Sequence, residues 1–279
     1  MHTSKPILVL GGTGKTGRRI VERLQAQNVP VRIGSRRNQP AFNWYDATTW
    51  PAVLNGVEAV YISFQPDLAI PEAFDIIRSF VEKAVQQGVR RLVLLSGRGE
   101  EAAERCEQIV MNAGLEWTVL RASWFHQNFS ESFFLEGIQQ GQVVLPVADV
   151  REPFIDAEDI AEVAVAALTQ PQHTGRVYEL TGPRLLTFAE AVQTIARYTD
   201  RSITYETVPL ELYLAALQEQ GTPSELVALL AYLFSEVLDG RNASLTPDVA
   251  HLLGRPPIDF DTYAQRTAAS GLWNSSLTV

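Results

Sequence analysis

The run Gly11-Gly12-Thr13-Gly14-Lys15-Thr16-Gly17 follows the apolar segment Ile7-Leu8-Val9-Leu10 directly and leads into Arg18-Arg19-Ile20-Val21, the start of an amphipathic helical pattern. Strand, glycine turn and helix in that order are the context a dinucleotide-binding fingerprint requires. Gly11 permits the tight turn, Gly14 lets a pyrophosphate approach the backbone, and Gly17 lets the helix sit close to the strand. The N–H groups at the helix start offer positive potential to phosphate. A P-loop is the rival, since Gly14-Lys15-Thr16 copies its end, but that motif needs glycine at position 9, where Val9 stands.

The second apolar run decides which dinucleotide fits. An acid about 20 residues beyond the turn would accept the ribose 2′-hydroxyl of NAD. Here the chain reads Gly34-Ser35-Arg36-Arg37-Asn38 instead. Ser35, Arg36 and Arg37 suit a 2′-phosphate, held by charge-assisted hydrogen bonds of about 1.5–3 kcal/mol each, so NADP(H) is expected over NAD(H).

Short apolar runs alternate with helical periods up to about residue 125, the pattern of parallel strands joined by crossover helices. Strands are expected at 6–10, 30–34, 42–45, 59–63, 91–95 and 117–120, with helices at 15–27, 48–54, 71–87 and 100–112. Gly56, Gly88 and Gly114 stand where helices should stop. Beyond 125 the periods at 129–140, 157–168, 188–198, 209–220 and 224–238 are helical, with short strands at 143–146 and 177–180. The expected fold is α/β: a doubly wound parallel Rossmann sheet (1–125) with a smaller, mostly helical C-terminal cap (126–279), some of whose strands return to the core.

Charge and composition narrow the partners. With 32 acidic against 23 basic residues, net charge −9, and no basic stripe, nucleic acid is not an expected partner. The single Cys106 excludes a disulfide framework, and no cluster has metal-ligand spacing, so no metal is expected. Asp149, Glu152, Asp156, Glu158 and Asp159 read as a charge bias at a helix start, with Asp156 as its cap. Neither a signal segment nor a membrane span is legible, which makes the cytoplasm the expected location. The patterns Asn128-Phe129-Ser130, Asn242-Ala243-Ser244 and Asn274-Ser275-Ser276 are then not glycosylated.

Several further segments carry a family likeness: Asn43-Trp44-Tyr45-Asp46, Gly56-Val57-Glu58-Ala59-Val60-Tyr61, Leu92-Val93-Leu94-Leu95-Ser96, Gly114-Leu115-Glu116-Trp117-Thr118-Val119-Leu120-Arg121, Trp124-Phe125 with Asn128-Phe129, Pro153-Phe154-Ile155-Asp156, and Gly254-Arg255-Pro256-Pro257. Together with the glycine turn they resemble the NmrA-like subgroup of atypical short-chain dehydrogenases/reductases, including its ergot-alkaloid-type reductases. The resemblance implies adenine contact by Asp46, ribose and nicotinamide contacts from Ser63, Phe64 and Gln65, and a nicotinamide-facing wall of Ala122, Ser123, Trp124 and Phe125. It also implies a helper serine at Ser96. The Tyr and Lys that short-chain dehydrogenases use as proton donor are missing from the following helix, where Ala103 stands at the place of a lysine in many relatives.

Ser96, Arg98, Glu104, Arg105 and His126 are the candidate polar groups of a substrate pocket. His126 is the proton-donor candidate because imidazole alone titrates near neutrality unperturbed; its bland reading is a surface histidine at a helix start. The expected function is NADPH-dependent hydride transfer to an activated small-molecule acceptor such as an iminium, a quinone or a polarised double bond. The alternative is a non-catalytic NADP(H) sensor that acts through a protein partner.

Overall fold

The computed structural model describes residues 5–274, so positions 1–4 and the end of the Asn274-Ser275-Ser276 pattern lie outside the described residues. In chain order the elements begin β1 (Ile7–Leu10), α1 (Lys15–Ala26), β2 (Val31–Gly34), α2 (Trp50–Leu54), β3 (Ala59–Ile62), α3 (Ala73–Gln86), β4 (Arg91–Gly97), α4 (Glu101–Met111) and β5 (Glu116–Ala122). They continue α5 (Phe134–Gln140), β6 (Gln142–Leu145), β7 (Arg151–Glu152), α6 (Ala157–Thr169), β8 (Arg176–Leu180), β9 (Leu186–Thr187) and α7 (Phe188–Thr199). The last are β10 (Thr204–Thr207), α8 (Leu210–Glu219), α9 (Ser224–Tyr232), α10 (Asp248–Leu253) and α11 (Phe260–Ala269).

The chain divides into two compact units, one of residues up to Ala122 together with Ala157–Leu180, the other of Ser123–Asp156 and the residues from Thr181 on. In the first unit a six-stranded parallel sheet runs in the order β2-β1-β3-β4-β5-β8. Ile7–Leu10 and Ala59–Ile62 are buried along their whole length, which is why these strands read as unbroken apolar runs rather than alternating ones. From β1 the chain moves out to β2 and then returns to β3 on the other side of β1. The strand order therefore reverses at β1, and ligands of open α/β sheets bind outside the carboxyl ends of strands at such a point.

Helix α6, placed by the sequence periodicity in the C-terminal region, packs in the first unit. Arg19 and Arg23 of α1 each reach a different oxygen of its Glu158, both at 2.6 Å. Burial alone would raise the Glu158 carboxyl, but hydrogen bonds and charge from the two guanidiniums outweigh it and hold the group below its ordinary range.

The strand expected at 42–45 does not form. Phe42 donates its N–H to the Ser35 carbonyl at 2.9 Å, folding the segment back as a loop. Phe42 and Trp44 instead drive their rings against Phe80, at 5.9 and 5.1 Å between centroids, so the apolar signal belonged to a loop stitched to the core. The expected helix over 129–140 is also interrupted: a 3-10 turn, His126–Phe129, precedes α5.

The second unit holds a parallel pair, β6 with β10, and an antiparallel pair, β7 with β9, surrounded by helices. Its core is aromatic: Phe129, Phe134, Phe154, Phe188, Phe260 and Trp273 are buried together. Helix α7 is fixed at its start by a capping box between Thr187 and Glu190. Among the described residues no helix is long and apolar enough to cross a membrane.

Candidate functional site

The glycine turn sits at the carboxyl end of β1. Gly11 takes the left-handed conformation, φ +63°, and its carbonyl accepts the Gly14 N–H at 2.8 Å, which closes the turn. A Cβ on Gly17 would come within 2.1 Å of the Gly11 carbonyl oxygen, so α1 approaches the turn as closely as only glycine allows. Gly14 is less crowded, with a Cβ reaching 3.2 Å from the same oxygen. Gly14 is the N-cap of α1 and no side chain caps the helix start. A twelve-residue helix thus presents N–H groups and dipole at the sheet edge, with Thr13 exposed at the turn and Lys15 beginning the helix. Thr16 is turned inward: its Oγ1 accepts from the Tyr61 hydroxyl at 2.9 Å, and burial holds that phenol above its ordinary range, so it stays a donor.

Two other segments reach this turn. A Cβ at Gly11 would lie 3.6 Å from the Ser63 hydroxyl, and one at Gly14 would lie 3.6 Å from the Gln65 amide nitrogen. Ser63 and Gln65, just past the end of β3, therefore flank the glycine turn. Phe64 does not share that role through its ring, which is buried against Trp44 at 5.0 Å and leaves only backbone for a ligand.

At the end of β2, Arg36 and Arg37 are exposed and neither guanidinium makes a hydrogen bond or ion pair among the described residues. Two uncommitted cations at this strand end fit a 2′-phosphate. Ser35 is already engaged, donating to Asn38 Oδ1 and accepting the Arg37 N–H at 3.3 Å, which shapes the loop. Asp46 uses Oδ1 to cap the following turn through the Thr48 N–H at 3.1 Å and the Thr48 hydroxyl at 2.6 Å, and its Oδ2 has no hydrogen-bond partner among the described residues.

Ser96 and Ala122 lie at the ends of β4 and β5, and the serine is not the free donor that its position suggests. Its hydroxyl donates to Glu107 Oε1 at 2.7 Å. Glu107 has no exposed surface and is gripped by Arg121, whose Nη2 donates to Oε2 at 2.7 Å. Arg121 is in turn 3.4 Å from Glu104, while Arg98 donates to Glu179 at 2.9 Å and the Arg105 guanidinium lies 4.9 Å over the Phe74 ring. These polar groups form a network at the strand ends, with the Ser96 proton spent inside it.

Sequence reading passed over the neighbouring group, Glu100. Its carboxyl lies against the Gly97 backbone at the tip of β4, and it faces Asp67 from the loop after β3. The signal available was Gly97-Arg98-Gly99-Glu100, an acid placed by two glycines immediately after a buried strand.

Ser123, Trp124, Phe125 and His126 belong to the second unit. Trp124 packs in its aromatic core, 5.5 Å from Phe188 and 5.9 Å from Phe234. His126 is neither a surface residue nor a group open to substrate. It is fully buried between Phe260 and Tyr263, its Nε2 donates to the Phe154 carbonyl at 2.9 Å, and its Nδ1 lies 3.5 Å from Asp156. Asp156 also takes hydrogen bonds from Gln127 at 2.7 Å and Arg266 at 3.0 Å. The imidazole ties two chain segments together and cannot touch an acceptor there. Glu158 and Asp159 stand in the first turn of α6, as the expected charge bias at a helix start requires, while Glu152, Asp156 and Asp159 are fully buried. No group of His, Cys, Asp and Glu among the described residues could hold a metal ion.

Comparison with known proteins agrees with this geometry. A family model described as NAD(P)H-binding matches residues 11–171, and one described as NmrA-like family matches residues 101–250. Agroclavine dehydrogenase of Claviceps fusiformis is 32% identical, over 91% of this chain and 94% of its own. An NAD(P)H azoreductase of Xenophilus azovorans is 28% identical, over 95% and 98%. In fold, an NADPH-dependent quinone oxidoreductase of Escherichia coli superposes with a TM-score of 0.79 at 20% identity, over 93% of this chain and 99% of that one. Sheet, glycine turn and relatives define an NAD(P)H-dependent oxidoreductase built on a Rossmann fold. Within that class, the chain belongs to the NmrA-like family.

Proposed function

We propose that the chain reduces a small-molecule acceptor that is already electrophilic when it binds, an iminium, a quinone or a polarised double bond, with NADPH as reductant. The observation that carries this reading is the Ser96 hydroxyl donating to Glu107, beside an α4 that contains neither Tyr nor Lys. The proton-delivery pair of an alcohol dehydrogenase is missing, so turnover rests on positioning and on acceptor reactivity. The Claviceps, Xenophilus and Escherichia proteins, by name an agroclavine dehydrogenase, an NAD(P)H azoreductase and an NADPH-dependent quinone oxidoreductase, support the same acceptor class.

NADPH supplies the hydride when bound. The turn Gly11–Gly17 and the open start of α1 hold its pyrophosphate, Ser63 and Gln65 flank it, and Arg36 with Arg37 take the 2′-phosphate. Phosphate preference comes from the guanidiniums, each contact being worth about tenfold in affinity. The test is NADPH consumption against a panel of iminium, quinone, azo and enone compounds beside simple ketones. Turnover confined to the activated compounds is expected. Equal turnover of an unactivated ketone would overturn the proposal, and consumption with none of the panel, together with cofactor-dependent binding of a protein partner, would favour a sensor.

A further inference from the structure

We infer that Glu100 is the proton donor for those acceptors that need a proton after taking up hydride. The inference rests on the reductase reading. Its ground is the tip of β4, where a Cβ on Gly97 would fall 1.9 Å from Glu100 Oε1, so the carboxyl lies flat against the strand end in space that only glycine leaves. Glu100 is 8% exposed and shares a hydrogen bond with the Asp67 carboxyl, one acid against another in a buried site. The carboxyl ends of β3 and β4, which carry the two acids, lie on the ligand-binding edge of the sheet with the glycine turn.

The surroundings keep this carboxyl in its acid form. Burial acts first, then the negative charge of Asp67 and its hydrogen bond with Glu100, with a smaller effect from Glu107; together they hold Glu100 well above the ordinary carboxylate range. Asp67 is itself raised by burial, against the Ala69 N–H that it accepts at 2.8 Å. Of the nearby cations, Arg121 pairs with Glu107, Arg98 with Glu179, and Arg105 lies over the Phe74 ring. Cys106 is pushed up to about 11, chiefly by burial, and carries no charge. Two carboxyls facing each other in a desolvated site hold one proton between them.

The step balances without another reagent. Hydride passes from NADPH to the electrophilic atom of a quinone or a conjugated enone, acceptors already activated for hydride, whose π electrons move to oxygen. The Glu100 O–H proton goes to that oxygen, giving the reduced acceptor, NADP+ and a Glu100 carboxylate, which regains a proton from water. An iminium acceptor becomes a neutral amine on hydride addition and needs no proton.

That difference is the test. Glu100→Gln keeps shape and a hydrogen-bond donor but has no transferable proton. It is expected to lower quinone turnover by about 10²-fold or more, to remove the alkaline fall of the quinone pH–rate profile, and to leave iminium turnover and NADPH affinity within about twofold. Asp67→Asn removes a like charge and is expected to move that alkaline fall to lower pH. A carbon NMR titration of the unliganded wild-type side chains gives a reading independent of activity, in which Glu100 is expected to remain protonated at pH 7. Ionisation of Glu100 near the unperturbed value of about 4.3, or equal loss of quinone and iminium turnover in Glu100→Gln, would overturn the assignment. If the wild-type chain consumes no NADPH with any acceptor, the reductase reading fails and takes the donor role with it, whereas the NMR titration still decides the protonated state.

Discussion

Glu107 shows how one side chain can settle the meaning of another. With its carboxylate fully buried between Ser96 and Arg121, it accepts the serine O–H hydrogen bond and pairs with the guanidinium. Glu107→Ala would leave the Arg121 guanidinium with only Glu104 at 3.4 Å and Glu179 at 3.8 Å, and a loss of about 3 kcal/mol is expected in urea unfolding, the lower end of the range for breaking a buried pair from one side. Glu100 should behave in the opposite way. Its folded-state carboxyl binds a proton more tightly than in the unfolded chain, so its favourable contribution is complete below the unfolded value and fades as pH rises through the folded one. Glu100→Gln is therefore expected to raise the melting temperature at pH 8 relative to wild type and to lose that advantage toward pH 4. A variant less stable at both pH values would show that the carboxyl is charged and paired. The roles of Ser96 and His126 were not legible in the sequence, because both depend on what burial places beside them, a carboxylate for one and Phe154, Phe260 and Tyr263 for the other.

At the scale of elements, the strand–turn–helix unit was legible almost residue by residue, because local rules dictate it: continuous apolar runs for covered strands, glycine for a left-handed turn, a helix that begins where phosphate would sit. What failed was equally local in appearance. Phe42 and Trp44 carry strand-like residues in a loop, since their partners on α3 come from far along the chain. The glycines themselves can be ranked. Gly17→Ala, with a Cβ at 2.1 Å from a backbone oxygen, is expected to cost about 1–3 kcal/mol and to weaken cofactor binding, while Gly14→Ala, at 3.2 Å, should be milder in thermal unfolding. The link between α1 and α6 is acid-sensitive. Glu158 is held below its ordinary range, so its contribution is present above the unfolded carboxylate value of about 4.3 and is lost as pH falls through the folded one. In Glu158→Gln the stability difference from wild type should vanish in strongly acidic buffer and be full at pH 7.

For the whole molecule, sheet order does what no single residue does. By sending the chain from β1 out to β2 and back to β3, it places the glycine turn, the Arg36–Arg37 pair, Ser63, Gln65 and the tip of β4 along one edge of a parallel sheet. The change of periodicity near residue 125 suggested one break in the chain, whereas Ala157–Leu180 returns to the first unit, and a helix that pairs through Glu158 with two arginines of α1 carries no local mark of its partner. On the proposed function, this edge selects a dinucleotide with a 2′-phosphate. Calorimetric titration of the purified chain with NADPH and with NADH tests it most directly. NADPH should bind at least about tenfold more tightly, and Arg36→Ala with Arg37→Ala should remove that preference while leaving NADH affinity nearly unchanged. Equal affinity for the two in the unaltered chain would contradict the account.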